Sequence, residues 1–411
     1  MKPLFVLALA ILCHTVLQAQ HLGRTASRNN FTITADVADA PQVKWQFNTQ
    51  RPIVASPVIN GNSLFAGGGD STLYALDKRT GKELWKYRTG GAVNASVVCD
   101  GNAVFFLSAD GIFYALDIHR GQLLWQFKTE GEGRTDTWDY FLSSAAIYDG
   151  VIYFGSGDCH IYALDARNGQ LRWKFKTGGP VHASPTISDN AILIGSYDGF
   201  FYALETNGQL RWKFDTIGER YFPAGEIQFH AVAADSSVYF CSRDYNVYAL
   251  HARTGKGLWV YREPGSWTSV PSLAGNRLLV TTSDTRRVLS FHTGFGDLQW
   301  KADATINIFS SITTTPKFGY VGALNGKLYK INLSTGHIRD IFQTVASKIA
   351  YNKFYDPATQ QLRTNLMETY QQDYIKMYEA YSEMGSILST PWIENGVLYF
   401  GSTDGTIYAL Q

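Results

Sequence analysis

The chain has 411 residues, with 36 Lys and Arg against 35 Asp and Glu, a formal net charge of +1 and 14% aromatic residues. Balanced charge without a local Lys/Arg cluster excludes a nucleic-acid-binding surface, which needs a basic face. Its 4 cysteines do not make a disulfide framework, and beyond the N-terminus no stretch is long and apolar enough to cross a membrane.

The chain opens on Lys2, an apolar run from Pro3 to Leu12, and Leu17-Gln18-Ala19 before Gln20. This is the pattern of a cleavable signal peptide over residues 1–19, and it predicts a periplasmic or secreted protein. Cys13 follows the large Leu12, which does not suit a lipid anchor. Residues 20–40 read as a linker. Val43-Lys44-Trp45-Gln46-Phe47 then reads as an outer β-strand with no blade before it.

From there a unit repeats. A Tyr-Ala-Leu word or a variant recurs at Tyr74, Tyr114, Tyr162, Tyr202, Tyr248, Leu289, Tyr329 and Tyr408. A Gly turn follows seven of them, at Gly81, Gly121, Gly169, Gly208, Gly255, Gly296 and Gly336. Trp85, Trp125, Trp173, Trp212, Trp259 and Trp300 come next, whereas the seventh turn is followed by Ile338-Arg339-Asp340. Trp45, Trp85 and Trp125 are spaced by 40 residues. Such a period in strand-like sequence marks a β-propeller.

Each unit reads as four antiparallel strands, A to D from the axis outward. In the fourth these are Ala183–Ile187, Ala191–Ser196, Phe200–Glu205 and Leu210–Phe214. Asp or Asn at the B-to-C turns, as at Asp198, Asp244, Asp284 and Asn325, suits turn capping. The eighth unit stops after Tyr408-Ala409-Leu410, so the N-terminal strand is expected to complete it and remove an open edge. The predicted fold is an all-β, eight-bladed propeller over residues 41–411. Cys99, Cys159 and Cys241 fall in different blades, as small apolar fillers. Gly69-Asp70-Ser71 imitates an esterase nucleophile word, but it shares the register of Gly157-Asp158-Cys159 and is a repeat turn.

Departures from the period point to function. Insertions at 130–140, 216–228 and 345–385 all join a D strand to the next A strand, so they decorate one face, where loops change without disturbing blades. That face carries Trp138, Tyr140, Arg220, Tyr221, Phe222 and Trp267, a set suited to a peptide or a sugar. Val54, Asn94, Leu142, His182, His230, Thr268, Phe309 and Leu388 form one column at the strand A entries. His182 and His230 are its polar candidates for a ligand, and without a third ligand they predict no metal site. In the longest insertion, Asp356 and Pro357 suit a helix start and Gly385 a stop, predicting one amphipathic helix from Pro357 to Met384. It either packs on the rim or docks a partner.

The unit Val181-His182-Ala183-Ser184-Pro185 through Ile194-Gly195-Ser196-Tyr197-Asp198-Gly199 to Tyr202-Ala203-Leu204 and Trp212 resembles the PQQ-like propeller repeat. So does Tyr162-Ala163-Leu164-Asp165 with Asn168-Gly169-Gln170-Leu171-Arg172-Trp173. One branch of that family holds pyrroloquinoline quinone and calcium against a vicinal disulfide. Here no Cys-Cys pair exists and the column lacks carboxylates, so neither cofactor nor enzymatic activity is expected. Resemblance to the BamB-like branch implies a non-enzymatic scaffold that binds envelope proteins in outer-membrane protein assembly, here without the lipid anchor usual in that group. A quinone-dependent dehydrogenase and a carbohydrate-binding module are the alternatives.

Overall fold

The computed structural model describes residues 24–359 and 361–411; the expected signal peptide lies outside them. Eight four-stranded antiparallel sheets form the expected propeller. Radial packing shows in the burial. The C strand Thr72–Asp77 is buried at every position, whereas the D strand Glu83–Arg88 buries only Trp85. Around the axis, hydroxyls stitch neighbouring blades. The backbone N–H groups of Ser56, Ser96, Ser144 and Thr390 donate to the hydroxyls of Ser96, Ser144, Ser184 and Ser56 at 2.8–2.9 Å.

The recurring Trp and Gly make one joint. Each D-strand indole lies on the Gly turn of the next blade and donates its N–H to a carbonyl there. Trp45 reaches Lys78 at 2.9 Å and Trp125 reaches Ala166 at 3.2 Å, and five further Trp residues repeat the contact. A Cβ on Gly169 would stand 2.4 Å from the Trp125 ring, and its φ of 71° disfavours any side chain. Gly169→Ala should therefore destabilise by about 2–4 kcal/mol, the combined cost of overpacking and a left-handed backbone. Urea unfolding checks this; an unchanged midpoint would contradict it.

The joint also explains why the seventh unit lacks Trp. The eighth blade has no C-to-D turn to receive one, because its D strand comes from the other end of the chain. Val43–Asn48 pairs antiparallel with the last strand, Trp45 opposite Ala409 and Phe47 opposite Ile407. At this junction Asp39 instead pairs with Arg339 and Lys330.

Residues 24–40, read from the sequence as a linker, run across the far end of the bore. The carbonyls of Ala26, Ser27, Asn29 and Asn30 accept in turn from Ile187, Ala233, Leu273 and Thr314, in four successive blades. Between them Arg28 is fully buried, donating to the carbonyls of Pro185, Ser144 and Ala145 at 2.6–3.0 Å. Burial pushes its guanidinium down to about 9, still charged at neutral pH. A periodic pattern cannot reveal this seal, because the segment forms no strand of its own blade.

The third insertion is helical but broken, which corrects the expected single helix. It forms α1 (Val345–Phe354), α2 (Leu366–Thr369) and α3 (Tyr374–Ser382). Asp356 caps a turn at Ala358 and Thr359 instead of a helix. Gln371 and Gln372 both take positive φ, breaking the backbone before Asp373 caps α3. The apolar stripe still packs inward, with Leu366, Met377, Tyr381 and Met384 buried beside Leu324, Tyr329 and Phe354.

Candidate functional site

The three insertions meet over the end of the bore where the A strands begin. The loop 130–140 is held from below by His182. Its Nδ1 sits 2.8–2.9 Å from both oxygens of Asp139, and its Nε2 is 3.2 Å from Glu132. All three side chains are 2% exposed or less. Tyr197 also donates to Asp139 at 3.1 Å. Arg243 extends the network by pairing with Asp136 and donating to Gln228 at 2.8 Å, and Gln228 donates to the Trp138 carbonyl at 2.8 Å. The column itself is carboxylate-free as expected, but the loop brings two carboxylates to it. Neither Asp139 nor Glu132 sits in a repeat position, so no periodic signal announces them.

Charge is fixed unequally on the two histidines. Burial works against the His182 cation, yet Asp139 and Glu132 more than offset it and raise it to about 9. Asp139 is held below the usual carboxylate range: burial opposes this, and the His182 bond wins. His230 is pushed down to about 3, by burial first and by nearby Arg28 second. Its Nε2 has no hydrogen-bond partner among the described residues. The His182 contribution to stability is therefore complete below 6.5 and fades as pH rises through about 9. That of His230 is complete above 6.5 and fades as pH falls toward about 3. Melting temperature should therefore peak near pH 6.5 and fall on either side of it. His230→Phe should flatten the acid flank and His182→Gln the alkaline one; flanks unchanged by either variant would contradict the assignment.

Both histidines line a bore reduced to about 40 Å³, with Asn94, Leu142, Phe309 and Leu388. That is room for about one water. The larger spaces are on the decorated face. A cleft of about 600 Å³ is lined by Arg51, Arg88, Arg134, Tyr140 and Ser382. A second, of about 340 Å³, is walled by Trp138, Tyr221, Phe222 and Trp267. Of the sequence candidates, Trp138, Tyr221 and Trp267 thus converge on one pocket and Tyr140 lines the other. His182 and His230 are buried below. Arg220 stands exposed beside Tyr221, 5.6 Å from its ring, outside both pockets. Sequence reasoning missed Tyr245 and placed Phe309 only in the column of strand A entries; both complete the aromatic walls. Their signal was weak, since each occupies an ordinary repeat position.

A quinone with calcium does not fit the bore. The remaining volume is far below a tricyclic ring system. Cys99 and Cys241 are buried in separate blades and Cys159 is in a turn. The carboxylates nearest the axis are committed to His182, and the described residues contain no cluster able to hold a metal ion.

Ring, repeat joints and closure define a PQQ-like β-propeller. A family model described as outer membrane protein assembly factor BamB matches residues 30–148, 138–222 and 207–411, and the chain belongs to that family. Among solved structures, BamB from Moraxella catarrhalis aligns with TM-score 0.57 at 20% identity, covering 79% of this chain and 98% of that one. Quinohemoprotein alcohol dehydrogenase from Comamonas testosteroni aligns with TM-score 0.71 at 13% identity, covering 95% and 80%. The computationally designed Ika8 protein aligns with TM-score 0.66 at 17% identity, covering 88% and 96%. At these identities the likeness shows the fold alone. Comparison with curated protein sequences gave no match.

Proposed function

We propose that the protein is an exported, non-enzymatic scaffold that captures a protein or extended ligand on its decorated face, in outer-membrane protein assembly. The observation that carries this reading is where the chain departs from its repeat. The His182–Asp139–Arg243 network ties the 130–140 and 216–228 insertions together through Gln228, and with the helical insertion, which supplies Ser382, they form a surface with two clefts. Membership of the BamB family supports the process, and no helix among the described residues is long and apolar enough to cross a membrane.

Excision tests it. The Thr344 hydroxyl donates to the Met384 carbonyl at 3.0 Å, so the ends of the helical insertion touch and a short Gly/Ser bridge can replace it. Blades are held by their neighbours, so the ring should still fold when 345–385 is removed, while affinity capture from the envelope loses its specific partner. Unchanged capture by a folded excision variant would refute the role of this face.

The dehydrogenase alternative shares the fold with a solved neighbour. Incubation with pyrroloquinoline quinone and calcium should give no dye-linked alcohol oxidation; saturable turnover needing both would favour it instead. A sugar platform needs coplanar exposed rings, whereas Trp138 and Phe222 each meet Trp267 at 85–89°.

A further inference from the structure

In six B-to-C turns a carboxylate accepts from the hydroxyl of the Tyr four residues on, and in a seventh the Asn325 amide donates to the Tyr329 hydroxyl, at 2.5–3.2 Å. Blade six departs from this. Leu289 stands opposite Lys301 as Tyr74 stands opposite Lys86, and the turn is one residue longer. Its capping falls to Thr282, whose hydroxyl accepts from the Arg287 N–H at 2.7 Å. Asp284 is thereby released from the duty its counterparts perform. It is exposed, accepts from the Ser283 hydroxyl at 2.7 Å, and has no ion-pair partner among the described residues.

This freed carboxylate lines the pocket of about 340 Å³ walled by Trp138, Tyr221, Phe222, Tyr245, Trp267 and Phe309. Trp138 and Phe222 meet Trp267 edge-on at 5.9 and 5.0 Å. Perpendicular rings enclose a compact group where parallel ones would offer a platform. Four of them already accept guanidinium groups from the protein itself: Arg243 over Trp267 at 4.6 Å and over Phe222 at 5.8 Å, Arg262 over Tyr245 at 5.6 Å, and Arg220 over Tyr221 at 5.6 Å. The charges of Arg243 and Arg262 are matched by Asp136 and Glu219, Arg220 stands over the Tyr221 ring without lining the pocket, and Arg286 lines a different cleft. Among the residues that line the pocket, Asp284 is the one that carries a charge.

Aromatic faces and one carboxylate attract a cation. We propose that this pocket binds an organic cation, an alkylammonium or guanidinium group, presented as the Lys or Arg side chain of the captured partner. The source rests on the scaffold reading; the cation chemistry stands on the pocket alone.

The test follows the indole N–H resonances of Trp138 and Trp267 by NMR at constant ionic strength. The probes are choline, an acetylated Gly-Arg-Gly amide, and their neutral isosteres, 3,3-dimethylbutanol and the citrulline tripeptide. Cations should give saturable shifts and neutral isosteres should bind about tenfold more weakly. Asp284→Asn should weaken cation binding about fivefold without lowering the melting temperature, because the side chain is exposed. A tripeptide tighter than choline supports the partner side chain; choline tighter than the tripeptide overturns that source in favour of a free quaternary ammonium. Equal binding of neutral isosteres, an Asp284→Asn protein that binds as before, or no saturable shift overturns the proposal. No partner is needed here, so failure of these titrations leaves the excision result standing, and failure of capture leaves the titrations readable.

Discussion

A protein lacking residues up to Thr49 should aggregate as an open ring. The truncation strips the last strand, Thr406–Leu410, of its partner, and every residue of that strand is buried in the intact protein. It also removes buried Trp45 and half-buried Phe47, roughly 3–5 kcal/mol at about 1.5–3 kcal/mol per large apolar side chain. Against a typical net stability of about 5–15 kcal/mol, that loss and an unpaired edge together suffice. The far-end seal is lost too, including the three carbonyl contacts of Arg28. Placement, not composition, is responsible, and a permutant shows it. Gln42 and Gln411 exchange backbone hydrogen bonds at 2.8 and 2.9 Å. Joining residues 42–49 to Gln411 through an Asn-Gly hairpin turn should therefore restore the pairing. Size-exclusion chromatography should find the truncated chain aggregated and the permutant largely monomeric. A monomeric truncated chain with an unchanged melting temperature would contradict closure by this strand.

Asp139→Ala should release the loop 130–140 while leaving the ring folded. The carboxylate accepts from Tyr197, from the backbone and hydroxyl of Thr135 at 2.8 and 3.0 Å, and from the buried His182 cation. Its removal leaves that cation with Glu132 alone, and breaking such a buried pair costs about 3–5 kcal/mol. Asp139 lies outside every blade strand, so the damage should fall on the loop. Arg134, tied to the carbonyls of Thr137 and Asp139 at 2.8 and 3.1 Å, should become a tryptic site. Limited trypsinolysis should cut the variant there and spare the wild type, with a lowered urea midpoint. Equal resistance and an equal midpoint would mean that the network does not hold the loop.

The ring was legible because its joints repeat. Trp on a Gly turn and Asp under a Tyr hydroxyl recur at fixed offsets, and even their gaps had meaning: Arg339 in place of Trp marks the blade completed by the other terminus, and Leu289 in place of Tyr marks the turn that frees Asp284. The decorated face was legible as a location, since excess length at three connections must emerge on the same rim. Its chemistry was not. His182 owes its charge to residues 43 and 50 positions away, brought back by a loop whose path no period encodes. The helical insertion was misread as one rod because its apolar spacing is continuous while its backbone breaks at Gln371 and Gln372. Burial sets the first property and local φ the second, so one can persist without the other.

Site-specific photocrosslinking tests the capture role of this face most directly. Benzoylphenylalanine replaces Tyr221, which is 70% exposed at the aromatic pocket, or Leu124, which is 53% exposed on an outer strand of blade two. In the cells that make the protein, irradiation should yield one discrete set of protein adducts from position 221, lost when residues 345–385 are excised, and none from position 124. The same adducts from both positions, or adducts from the outer strand alone, would contradict a binding role for the decorated face.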